Sequence, residues 1–218
     1  MSDLLKKINW KSLFINLLIC VVSTALSEFG IGCYYGCGLG TDPISVFVDG
    51  LHGKFGLSYG TISTICNIIQ AILIFLFERK YLGLGTLIGV IIGGPLIDVF
   101  ETLIRVNFPL ESTGLAIRII ILIVGLITTG IGYGLGIACN LGIGCFQFWP
   151  IWLEDITPLS LKYTQIISDA VFFLIGWALG GVVGVGTIIG VLLTGYILDW
   201  TLKKCEKPIK EFGPIINK

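Results

Sequence analysis

The sequence predicts an all-α polytopic membrane protein. The expected architecture is six transmembrane helices in two inverted three-helix repeats, each with a glycine break and a short re-entrant or interfacial half-helix. Three observations carry that expectation. Of 218 residues, 55% are hydrophobic and only 13% are charged, about half the ~25% charge of a soluble domain, and the mean hydropathy is +0.95. The apolar runs reach the ~20 residues that cross a bilayer core as helix. The chain also repeats its own glycine pattern at a spacing of 101 to 102 residues.

The net charge is zero, so no large basic surface for nucleic acid is implied; the lipid bilayer is the expected surrounding. Seven cysteines are an odd count, and most lie in apolar runs, which argues against a disulfide framework. The N-terminal stretch carries lysines ahead of an apolar run without a small-residue cleavage site. It reads as a cytoplasmic start, not a removed signal peptide.

Taken in order, the chain divides into a cytoplasmic N-terminus (1–11), membrane repeat 1 (12–104), a linker (105–113), membrane repeat 2 (114–203) and a cytoplasmic tail (204–218). The first span runs from about Lys11 to Tyr35, with Glu28 near its far end. Glycines 36, 38 and 40 then break the helix, and Asp42-Pro43 restarts it. The carboxylate caps orphan N–H groups, and proline lacks the donor that would go unpaired at the first helical position. The piece from Pro43 to Phe55 is too short to cross and partly amphipathic, a half-helix tolerated at membrane depth only when buried in protein.

The second span is about Ser58 to Phe77, ended by Glu78-Arg79-Lys80, and the third about Leu82 to Ile104, carrying Asp98 and Glu101. The fourth is about Gly114 to Ile137. A second break, Ala138 to Cys145, follows, and then a short aromatic segment, Phe146 to Leu153. The fifth and sixth spans are about Leu161 to Leu179 and Val183 to Leu202.

The repeat is explicit. Gly83-Leu84-Gly85-Thr86 matches Gly184-Val185-Gly186-Thr187 at a spacing of 101, continuing to Gly94/Gly195 and Asp98/Asp199. Cys37, Leu39 and Gly40 match Cys139, Leu141 and Gly142 at a spacing of 102. Repeats of this kind define architecture. Three crossings per repeat force the copies into opposite orientations, whereas half-helices that crossed fully would make eight spans and parallel copies. With the N-terminus inside, the cytoplasmic side collects eleven lysines and arginines, the outer side only Lys54, Arg105 and Arg118, as the positive-inside rule requires. The expected location is the bacterial cytoplasmic membrane, with both termini cytoplasmic.

Gly38-Leu39-Gly40-Thr41-Asp42-Pro43, Leu57-Ser58-Tyr59-Gly60-Thr61, and Leu84-Gly85-Thr86 through Pro95-Leu96-Ile97-Asp98 together resemble the YczE/YyaS/YitT-like group of bacterial integral membrane proteins, over roughly residues 12 to 203. Members typically read L-G-x-x-P-W-D after the first break, where this chain has Ile44 and Ser45 in place of the Trp and Asp. The resemblance implies a fold and no substrate.

A glycine-broken segment in both halves of a membrane protein points to a transporter-like binding site, and half-helix N-termini present free N–H groups and positive dipole. The candidate substrate-binding residues are therefore Gly38, Gly40, Thr41, Asp42, Asn140, Gly142, Gly144 and Cys145, with an anionic solute as the favoured case. Ionisable or polar groups within spans are costly and usually functional. That makes Glu28, Asn67, Asp98, Asp169 and Asp199 the ion-coupling or gating candidates; Asn67 and Asp169 are repeat mates. Against this, the glycines fit close helix contact, Asp42 fits a cap, and Asp98 and Asp199 fit anchoring at the membrane interface. Gly85-x-x-x-Gly89 and Gly186-x-x-x-Gly190 read as helix-contact faces, the expected seam between repeats.

Cys33, Cys37, Cys139 and Cys145 fit soft-metal ligation less well than tight apolar packing, and His52 reads as interfacial. No metal or cofactor is expected. Nor does a nucleophile triad, phosphate loop or zinc motif appear, so the chain is expected not to be an enzyme. The leading expectation is a small-solute transporter or channel. Two alternatives stay open: a substrate-binding subunit of a multi-subunit importer, which needs ATPase subunits, and a non-transporting scaffold or assembly factor. Small-residue faces allow a homodimer.

Overall fold

A computed structural model describes residues 9–211. Among them the chain forms eight α-helices and no strand: α1 (Trp10–Cys37), α2 (Pro43–Phe55), α3 (Tyr59–Phe77), α4 (Leu84–Asn107), α5 (Leu115–Ala138), α6 (Phe148–Ile156), α7 (Leu161–Ala178) and α8 (Val185–Glu211). Lys6, Lys7 and residues 212–218, which entered the orientation argument, lie outside the described residues.

Five helices, α1, α3, α4, α5 and α8, are long and apolar enough to cross a membrane. The fifth predicted span, α7, does form a helix of 18 residues but is not among the five. Its polar positions explain the difference: Gln165, Ser168 and Asp169 are all buried on its inner side. Interior polarity lowers its apolar content without exposing charge to lipid. At 1.5 Å per residue, α2 with 13 residues and α6 with 9 are far shorter than a ~30 Å bilayer core.

The centre of the bundle is the pair α1 and α5, with α4 on the other side of α1 and α8 on the other side of α5. Glycine lets the central pair touch backbone to backbone. A Cβ on Gly132 would stand 2.6 Å from the Ser27 nitrogen, and one on Gly30 would stand 2.6 Å from the Gly125 oxygen. No side chain fits in either gap. Lipid tails offer no hydrophobic drive between spans, so close contact of this kind is what holds them together.

The two glycine breaks are built alike. Gly38 and Asn140 take left-handed φ of 61° and 51°, and Gly40 and Gly142 take φ of 97° and 98°. Each break docks on the start of the final helix of the other half. The Gly186 N–H donates to the Leu39 carbonyl at 3.0 Å, and the Gly85 N–H donates to the Leu141 carbonyl at 2.7 Å. Thr86 and Thr187 side chains accept from the N–H groups of Gly83 and Gly184, each at 3.2 Å. Gly85 and Gly186 thus sit at the seam expected of them. Gly89 does not, since a Cβ there would meet nothing within 4 Å.

The half-helices differ at their starts. Asp42 caps α2 by accepting from the Ser45 N–H at 3.4 Å, with Pro43 in the first turn. In the second half Gly144 stands at the equivalent place without a capping side chain, and a single 3₁₀ turn, Cys145–Gln147, precedes α6. The helix that the sequence places from Phe146 accordingly starts at Phe148.

Candidate functional site

The second break and the inner faces of α1 to α5 enclose a cavity of about 90 Å³. That is room for a few waters or a small polar solute. Of the predicted residues, Glu28, Asn67, Gly142, Gly144 and Cys145 line it. Three α1 hydroxyls also face it: Ser23, Thr24 and Ser27. Each hydroxyl donates its proton back to its own helix, Ser23 and Thr24 to the Cys20 carbonyl at 2.7 and 3.0 Å and Ser27 to the Thr24 carbonyl at 2.9 Å. Their remaining capacity is lone pairs, so the hydroxyl row offers acceptors to whatever occupies the cavity.

Glu28 Oε2 is buried without a hydrogen-bond partner, as are both amide atoms of Gln147, whose side chain also lines the cavity. Buried polar atoms are nearly always satisfied, so these are the atoms with unused binding capacity. Gln147 and the hydroxyl row were not singled out from the sequence. The repeat offers one signal for Gln147, which stands 102 residues after Ser45. The hydroxyls carry none, because serine and threonine commonly bond to their own helix.

The other predicted residues lie elsewhere. Gly38 and Gly40 shape the first break, where Arg118 donates to the Cys37 and Gly38 carbonyls at 2.7 Å each and so terminates α1. Asn140 shapes the second break. Thr41, Asp42 and Asp169 are buried, at 5%, 2% and 2% exposure, and none of the three lines the cavity. Tyr133, on α5, lies within electrostatic reach of Asp42, Glu28 and Asp169. None of them has an ion-pair partner among the described residues.

Asp98 and Asp199, repeat mates in sequence, do different work. Asp98 accepts from Ser58 Oγ at 2.7 Å and from the Gly60 N–H at 2.8 Å, fastening the start of α3. It shares a polar recess with His52, Tyr59, Glu101 and Arg105. In the second half Glu154 takes the matching task at the start of α7, accepting from the Leu161 N–H at 2.9 Å. Asp199 is thereby free to pair with Lys203 at 2.7 Å. The cysteines are separated: Cys33 and Cys37 pack against Leu122 and Leu126, Cys139 against Cys20, and Cys145 against Phe148 and Ile74.

Outside the spans, the turn between α3 and α4 is tied to the end of α6. Lys80 Nζ lies 3.0 Å from Asp155 Oδ2, and the Tyr81 hydroxyl donates to the same oxygen. The Tyr81 hydrogen bond first, and Lys80 second, hold the Asp155 carboxyl below its usual range.

Comparison with known proteins agrees with this picture of a multi-pass helical membrane protein. An uncharacterised membrane protein of Bacillus subtilis (strain 168), YczE, is 27% identical over 195 residues, covering 89% of this chain and 86% of its own length. YyaS of the same organism is 24% identical, covering 81% and 87%. An uncharacterised protein of Haemophilus influenzae (strain ATCC 51907 / DSM 11121 / KW20 / Rd) is 24% identical, covering 88% and 86%. No solved structure matches. Residues 14–203 match the family of unknown function DUF6198, so this multi-pass helical chain belongs to that family, among the YczE- and YyaS-like proteins.

Proposed function

We propose that this chain is a small-solute transporter of the bacterial cytoplasmic membrane, not an enzyme, and that it holds its solute at the second glycine break. In this reading α7 crosses with the other five, the halves are inverted three-helix repeats, α2 and α6 are re-entrant, and both termini are cytoplasmic. The reciprocal docking of each break on the opposite half supports the repeat. Inverted repeats with broken helices at the membrane middle are the usual ground plan of secondary transporters.

The observation that carries the proposal is the cavity wall: hydroxyl oxygens with their protons already committed, the unpartnered Glu28 carboxyl oxygen, and the unpartnered Gln147 amide. Acceptors of this kind favour a solute that donates hydrogen bonds or bears positive charge, such as a small amine. The helix N-termini favoured an anion at the level of sequence. The buried Asp42 and Asp169 and the half-buried Glu28, none with a basic partner among the described residues, weigh the other way, since an ionised carboxylate carries a full negative charge against the half charge of a helix end.

The test is native mass spectrometry of the chain extracted gently from its own membrane, followed by uptake of the released molecule into proteoliposomes. The expected result is a small bound mass that is lost in Glu28→Gln and Gln147→Leu, with uptake reduced at least tenfold in both. Co-purified ATPase subunits would turn the reading to an importer subunit. A bare chain that moves nothing would leave a scaffold.

A further inference from the structure

We infer that the apolar pocket between α3 and α7 seats an acyl chain of a membrane phospholipid. The pocket is distinct from the solute cavity, and the depth assigned to it rests on the inverted-repeat reading above.

The pocket has a volume of about 470 Å³ and draws its walls from α2, α3, α6 and α7. α2 packs against both α3 and α7, and α6 packs against α7, while α3 and α7 are not packed as a pair. The lining is apolar apart from Gln70 and Ser168. Gln70 is 7% exposed, and its carbonyl oxygen already accepts from Trp149 Nε1 at 2.5 Å. That bond satisfies the indole, whose N–H needs a partner when buried.

The internal repeat fixes where the pocket lies. Every first-half residue in its walls stands 102 positions before a second-half residue of the same walls. Phe47 precedes Trp149, Leu51 precedes Leu153 and Ile69 precedes Val171 in this way. A space whose walls exchange under the repeat lies on the axis that relates the two halves. For inverted repeats that axis runs in the membrane plane. The pocket therefore sits at the middle of the bilayer, where acyl chains end.

Two apolar occupants come into question, a chain from the bilayer and the tail of a solute from the neighbouring cavity. Phe172, in the pocket wall, meets Phe146 edge to face at 5.4 Å and Phe47 at 5.7 Å. Phe146 lines the solute cavity, so a solute tail enters only if these rings part. The lipid side has no such barrier. Ile69, Val171 and Ile175 in the pocket wall are 53%, 51% and 45% exposed, and Ile72 and Leu174 continue that exposed apolar surface along α3 and α7. α3 is long and apolar enough to cross a membrane, so hydrocarbon reaches this mouth directly.

Among lipid tails, leaving water supplies no drive, and what favours occupancy is van der Waals contact with the walls. The volume is about three times that of a ~150 Å³ apolar cavity that takes up benzene, room for a stretch of chain and not only its methyl end. A rotatable chain follows walls of mixed aromatic and branched residues. It supplies the contact that α3 and α7 do not make with each other.

The test is fluorescence quenching of Trp149 in the full chain, with Trp10, Trp152, Trp177 and Trp200 replaced by Phe, in bilayer discs of phosphatidylcholine. The lipid carries bromine near the headgroup, at mid-chain or near the chain end. The expected result is quenching that is strongest with bromine near the chain end, and that falls at least twofold in Ile69→Phe and Val171→Phe, which fill the pocket. Circular dichroism checks that each variant is folded. The depth profile itself needs no pocket variant, and the difference between the wild-type chain and Trp149→Phe gives it without the four other substitutions. An unquenched Trp149, a profile strongest near the headgroup, or quenching undiminished in the folded pocket-filled variants overturns the proposal. The transporter reading is judged by uptake, which this measurement does not involve, so the two fail separately.

Discussion

Gly40 and Gly142 hold φ of 97° and 98°, a conformation open to glycine and strained for any other residue. Each also lies where the opposite half passes closest. A Cβ would stand 2.6 Å from the Gly184 Cα in one case and 2.6 Å from the Gly83 Cα in the other. Strain of the first kind costs about 1–3 kcal/mol, and the backbone contact adds to it. Gly40→Ala and Gly142→Ala should each lower the melting temperature sharply, by an amount set by at least that strain. Gly53→Ala, in α2 with nothing within 4 Å, should be neutral or stabilise by up to ~1 kcal/mol. Thermal unfolding of the three variants checks this. Both special glycines were legible, because they repeat at a fixed spacing. Gln147 was not, because one glutamine in an aromatic segment looks like any other until its amide is seen unpartnered beside a cavity.

At the level of elements, the Lys80–Tyr81–Asp155 contact joins the α3–α4 turn to α6 and depends on an ionised Asp155. A carboxyl whose folded pKa is depressed contributes stability above its unfolded pKa and loses it as pH falls through the folded value. The ordinary aspartate value is about 3.9, so the contribution should be complete at neutral pH and fade below about pH 4. The wild-type chain should melt higher than Asp155→Asn at pH 7, and the two curves should converge under acid. Parallel curves across that range would leave the contact without energetic weight. Element boundaries followed the sequence wherever a local signal existed, as at Asp42-Pro43. They departed where none did: α6 lacks a capping side chain and begins late, and α7 hides polar residues inside the bundle, so composition alone ranks it below the other spans.

For the whole molecule, each half closes the other. The break of the first half is hydrogen-bonded to the start of α8, and the break of the second half to the start of α4. The α1–α5 contact runs glycine against backbone along the centre. Neither half can satisfy its break alone, and an unsatisfied backbone group in a membrane costs several kcal/mol. Residues 1–110 and 111–218 expressed separately should therefore degrade or aggregate. Expressed together they should co-purify as a folded complex, assayed by affinity capture through a tag on one piece.

The sequence by itself determined the helical membrane class, the positions of both breaks, the half-helices and the correspondence between halves. Those properties reside in composition, in glycine and proline stereochemistry, and in a spacing that survives translation into structure. Only the tertiary structure decided which breaks meet which helices, that the repeat mates Asp98 and Asp199 have diverged into a cap and an ion pair, and that the hydroxyls of α1 turn their lone pairs toward a cavity. Each of these depends on which atoms face each other across helices far apart in the chain, and on which hydrogen bonds are already made. Residue type constrains what a group can donate or accept; the neighbours that use that capacity are chosen only when the helices come together.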